Sequence, residues 1–172
     1  MANLSHGAGA LPFPRGTTYS QGVLAMTPAM GANLEGTVWE IYDPQQGMVK
    51  LRVVRNSSGG ALTKSKKLLA YASDYAGKRV SGTGVAGSAA CVADDQYPDG
   101  MQIPQDDLFY VMESGVVQVS KATGASTAIA LHAALTSGAS GNAAVAAAGQ
   151  RAFGYCAKAA TDGDAVVSVY VG

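Results

Sequence analysis

A chain of 172 residues and 17.3 kDa has the length of one domain with a sizeable core. Its 12 basic and 12 acidic residues cancel, and only 14% of positions are charged, against roughly 25% in an average domain. That balance argues against a free nucleic-acid binder, which needs a basic footprint. The absence of any apolar run near roughly 20 residues argues against a membrane span, and two His leave little acid–base capacity near neutral pH.

The first ten residues lack the basic start and apolar run of a secretory signal. The expected product is therefore cytoplasmic. Residues 1–35 read as an extended arm, because Gly7, Gly9, Pro12, Pro14, Gly16, Gly22, Pro28 and Gly31 break any regular period. The arm is nonetheless rich in apolar side chains. Leu11, Phe13, Tyr19, Leu24 and Met26, with Trp39 just beyond, are the candidate partner-binding residues. Such a segment cannot form its own core, so it covers either its own domain or a partner chain.

Residues 36–172 read as one β-rich domain. Residues 37–42 and 49–55 alternate apolar and polar side chains around the turn Asp43-Pro44-Gln45-Gln46-Gly47, which predicts a hairpin. Leu68 to Tyr71 is expected as a strand entered through a solvated basic turn at Lys64, Lys66 and Lys67. Further short strands are expected at 78–81, 89–93, 108–112 and 115–120, with a tight turn at Glu113-Ser114-Gly115. Residues 122–152 are low-complexity, with a helical turn or two at Ala143–Ala148. Residues 153–158 and 165–171 form a closing pair around Asp162-Gly163-Asp164, a strong hairpin signal. Many short strands at this spacing predict an all-β barrel or sandwich of antiparallel strands.

Motifs for chemistry are weak. Gly82-Thr83-Gly84-Val85-Ala86-Gly87 has the spacing of a dinucleotide fingerprint, but no helix can follow it before Pro98. Asp94, Asp95 and Asp99 lack the regular ligand spacing of a calcium loop and read as a solvated turn. Cys91 and Cys156 stand alone, without a neighbouring His or a second pair at zinc spacing. No catalytic residue, cofactor site or metal site is assigned, and the chain is not expected to be an enzyme.

The order of the elements carries a resemblance. The hairpin leads to Asn56-Ser57-Ser58-Gly59-Gly60 and Leu68-Leu69-Ala70-Tyr71. Tyr97-Pro98-Asp99-Gly100 and the run 108–119 follow, and the close is the 154–171 pair. Over residues 36–172 this resembles the capsid cement, or head decoration, proteins of tailed bacteriophages. The resemblance implies a small β-barrel or sandwich on the capsid exterior, made in the host cytoplasm. It also implies the major capsid protein as partner, a homotrimer, and no enzyme activity or cofactor. Nucleic acid and membrane are not expected partners. The alternatives are another particle component, such as a tail or fibre-associated β-domain, and a small carbohydrate-binding module or hydrolase. On this reading, removing residues 1–30 leaves a folded β-domain that binds heads weakly or not at all.

Overall fold

The computed structural model describes residues 11–22, 31, 33–73, 77–88, 90–122 and 128–172. It is all-β, as the alternation predicts. One ten-stranded sheet runs in the order β10-β9-β11-β12-β8-β2-β5-β4-β6, with β1 on the side of β2. The strands in chain order are β1 (Val38–Asp43), β2 (Gly47–Asn56), β3 (Leu62–Thr63), β4 (Leu69–Tyr71), β5 (Arg79–Thr83) and β6 (Ala90–Cys91). They continue as β7 (Gln102–Ile103), β8 (Leu108–Ser120), β9 (Ala134–Ser137), β10 (Ala143–Val145), β11 (Gly154–Lys158) and β12 (Val166–Val171). Strands β3 and β7 pair separately.

Both predicted hairpins form, with Tyr42 opposite Met48 in β1–β2 and Tyr155 opposite Tyr170 in β11–β12. Two expectations change. Residues 108–120 are one 13-residue strand with no turn at Glu113–Gly115. Its first half pairs with β2 and its second half with β12. A strand that passes between two sheet halves must bend, and the register shifts at Lys50/Leu51, opposite Ser114 and Met112. Gly115 sits at the bend with φ +138, and a Cβ there would meet Met112 Cε at 2.6 Å. The thioether end of Met112 could give way, but that backbone strains any side chain, so glycine suits the bend. The second change is at Ala143–Val145, which is an edge strand on β9 and not a helical turn. Pairing across the sheet overrides alanine's helix propensity there.

The β2 end of the sheet curls. Past β6 the chain returns to β8, where Met112 donates its amide to Val92 O (2.9 Å) and Asp94 to Tyr110 O (3.0 Å). This half is thus barrel-like, with most of its edges paired. One departure from the antiparallel expectation is that β2 and β5 pair in parallel through Arg55 and Asn56. The core contains Val49, Leu51, Val53, Phe109 and Val111, with Val117, Val119, Val167, Val169 and Cys156 under the second half. Cys91 and Cys156 are both free and buried, so they are packing residues. Burial pushes the Cys91 thiol up to about 12, so it stays protonated at neutral pH.

Residues 11–22 lie on this body. They contain one short helix, α1 (Tyr19–Gly22). Phe13 is 2% exposed and stacks on Tyr110, with ring centroids 4.2 Å apart. Tyr19 packs edge-on against Phe13 at 5.8 Å. The Phe13 amide donates to the Tyr110 hydroxyl (3.3 Å), which donates back to the Phe13 carbonyl (2.8 Å). The Tyr97 hydroxyl donates to Thr17 O (2.9 Å) and accepts from the Tyr110 amide (3.0 Å). Each buried polar group of this aromatic cluster therefore has a partner, as burial requires.

Candidate interaction surface

Three clusters of polar side chains cross-link the body. The first centres on Arg15. Its Nε and Nη2 hold the two Asp94 carboxylate oxygens at 2.7 and 2.5 Å, and its Nη1 reaches Asp43 at 2.6 Å. The Asp94 side chain has no exposure. Asp43 also accepts the Gln45 and Gln46 amides (2.8 and 3.0 Å), which caps the β1–β2 turn. One planar guanidinium thus ties residues 11–22 to the hairpin and to the 92–94 return, a bidentate geometry that Lys cannot reproduce. In the second cluster, Asp107 accepts from the Thr18 hydroxyl (2.5 Å), the Ser20 amide and hydroxyl, and the Leu108 amide. In the third, Glu35 takes Arg55 at 2.7 Å and Arg79 at 2.5 Å.

Burial opposes ionisation of Glu35, but hydrogen bonds from Arg79 and Arg55 outweigh it and hold the carboxyl below its usual range. Asp43 behaves likewise: its burial is outweighed by the Gln45 and Gln46 amides and by Arg15. A carboxyl lowered by folding stabilises the fold above its unfolded value, and loses that contribution as pH falls through its folded value. Asp95 runs the other way, since burial raises it. The expected result is a melting midpoint that falls progressively below about pH 4.5. A Glu35→Gln variant should melt lower at pH 7 and show a flatter acid limb; calorimetry across pH 3 to 7 checks both.

The aspartate and lysine turns are less solvated than expected. Asp94 is fully buried on Arg15, and Lys64, 5% exposed, lies 3.2 Å from Asp99. Lys67 donates to Asn142. Lys64 and Lys66 thus pair with the Asp-rich turn at Asp95 and Asp99, whereas Asp94 and Lys67 have partners elsewhere. The glycine motif ends β5, and its continuation leads to β6 without an intervening helix. Among the described residues, no group of three His, Cys, Asp or Glu could hold a metal ion.

The candidate partner-binding residues separate. Phe13 and Tyr19 are buried, covered by Tyr110 and by each other. Leu11 and Trp39 are partly buried against the core, and Trp39 Nε1 donates to Thr37 Oγ1 at 3.0 Å. Leu24 and Met26 lie outside the described residues.

The surface residues that the sequence reading passed over are those with the wrong exposure for their type. Val38, Tyr42 and Met48 stand out from the β1–β2 hairpin, at 43, 65 and 53% exposure. Val116, Tyr170 and Tyr155 form a row across β8, β12 and β11, since Tyr170 opposes both Val116 and Tyr155. Gln46 Nε2 donates to Val116 O at 3.1 Å and links the two groups. A period-2 pattern shows which residues share a face, but not which face is left uncovered. Exposed apolar clusters of this kind mark interaction sites. Among the described residues, β1 pairs with β2 alone.

No family model matches the chain, and no curated protein is similar to it. Among solved structures, the chain is similar to the N base of the head fiber gp8.5 of bacteriophage phi29, with 20% identity and a TM-score of 0.45. That likeness covers 73% of this chain and 95% of the other.

Proposed function

We propose that the chain is a structural component of a tailed-phage particle that docks on the outer surface of the capsid as a cement protein. The observation that carries this reading is the β1–β2 hairpin, an apolar edge on a rigid mount. Its Val38, Tyr42 and Met48 are exposed, while Arg15 fixes its turn through Asp43. Exposed apolar side chains of this kind suit contact with a protein partner, the aromatic ring serving as anchor. The resemblance over residues 36–172 supplies the capsid as that partner. Several copies on one shell, including the implied trimer, multiply weak contacts through avidity.

Co-sedimentation with filled heads that lack the protein tests the reading. The wild-type chain should bind heads. The Tyr42→Ser/Met48→Ser variant should bind at least tenfold more weakly, because central aromatic anchors dominate interfaces. Its melting midpoint should stay near wild type, since both side chains are already in water. Absence of wild-type binding, or equal binding by the variant, would reject the reading. Binding to isolated tails in place of heads would move the protein to the other end of the particle.

A further inference from the structure

A groove of about 640 Å3 opens beside the bend of β8. Its lining includes Arg52, Tyr71, Glu113, Arg151, Phe153 and Gly172. Arg52 Nε donates to Glu113 Oε1 at 2.5 Å, and the Tyr71 hydroxyl lies 3.5 Å from the same oxygen. The Arg52 and Glu113 side chains each remain 25% exposed. The pair is thus held in place yet reachable, with guanidinium donors and a carboxylate acceptor side by side.

The tyrosine row borders this groove. Phe153 and Gly172 line it, and each lies two positions from a tyrosine of the row, Tyr155 and Tyr170. The Tyr170 hydroxyl is 3.5 Å from Ser114 Oγ, on the residue after Glu113. Tyr155 and Tyr170 oppose each other in register and are 47 and 48% exposed. Cross-strand partners stand about 5 Å apart at Cβ, so the two tyrosines share one exposed face of the sheet.

We propose that the groove and the tyrosine pair together form a binding site for an oligosaccharide of pyranose units. A pyranose carries C–H groups on its faces and hydroxyls around its rim. The tyrosine rings suit the C–H faces, and the Arg52–Glu113 pair suits neighbouring hydroxyls through charge-assisted bonds. The groove volume falls in the roughly 300–1,000 Å3 range of small-ligand sites.

The full chain and a Tyr155→Ala/Tyr170→Ala variant are applied to a printed array of bacterial and plant oligosaccharides. Bound glycans are then titrated in solution. Wild type should retain a set of glycans that the variant binds at least tenfold more weakly. Tyr155→Phe/Tyr170→Phe should keep binding, because stacking needs the ring and not the hydroxyl. A wild-type chain that binds no glycan above the alanine variant overturns the proposal. So does a bound glycan whose affinity the alanine variant leaves unchanged. Thermal melting confirms that the variants are folded, both side chains being outward. The Tyr42→Ser/Met48→Ser variant should bind glycan like wild type, so a failure of capsid docking and a failure of this site are distinguishable.

Discussion

Deletion of residues 1–22 is expected to unfold most of the domain at room temperature, and not to yield a trimmed, stable body. The deletion removes Phe13, whose ring is 2% exposed and stacked on Tyr110. Emptying such a site alone costs about 3–5 kcal/mol, as Phe→Ala substitutions do. It also removes Arg15, Thr18 and Ser20, stranding Asp94 and Asp107, neither of which has any exposure. A buried carboxylate without its partner costs several kcal/mol more. The sum reaches the whole stability of an ordinary domain, about 5–15 kcal/mol. Far-UV circular dichroism and Trp39 fluorescence during heating would read this directly. A truncated chain that melts cooperatively within a few degrees of the full chain would show that residues 11–22 are only loosely held. The expectation that removing residues 1–30 spares the fold rested on the broken periodicity of residues 1–35. That periodicity says only that the segment is neither helix nor strand.

The second large effect is expected at a single side chain. Arg15→Met should destabilise the protein by about 3–5 kcal/mol, because Asp94 loses its bidentate partner in a site without solvent. The denaturant midpoint should fall while its slope stays constant, since the surface exposed on unfolding is unchanged. Adding Asp94→Asn to Arg15→Met should recover part of the loss by removing the stranded charge. In the wild-type background, Asp94→Asn should instead destabilise, because the guanidinium loses its bidentate partner. That opposite sign is the signature of a coupled pair. Two additive losses would mean that the residues act separately and that the Arg15 mount under the hairpin is weaker than its geometry implies.

These two effects locate the boundary between local and long-range information. The β1–β2 and β11–β12 hairpins were legible because their signals are local. Alternation sets the face, and Asp43-Pro44-Gln45-Gln46-Gly47 and Asp162-Gly163-Asp164 set the turns. The long β8 was not, because Glu113-Ser114-Gly115 has turn chemistry. Only pairing with β2 on one side of the bend and β12 on the other keeps it extended. Likewise Ala143–Val145 looks helical by composition and becomes a strand because β9 offers an edge.

The sites divide in the same way. Phe13 and Tyr19 were recognisable as anchors from their type and setting in a glycine- and proline-broken segment. What they anchor to depended on Tyr110, 97 positions from Phe13. Arg15 and Asp94, 79 positions apart, carried no mutual signal at all. The tyrosine row of β11 and β12 exists only because antiparallel register places Tyr155 against Tyr170, and because both side chains stay exposed. The sequence by itself thus determined an all-β class, the two hairpins and the low-charge surface, since these follow from local periodicity, turn residues and composition. The tertiary structure alone decided that Phe13 and Tyr19 of residues 11–22 join the core, and that Asp94 is a buried partner and not part of a solvated turn. It also decided which apolar side chains remain outside. Each of these depends on contacts between residues distant in the chain, whose energy no local pattern encodes.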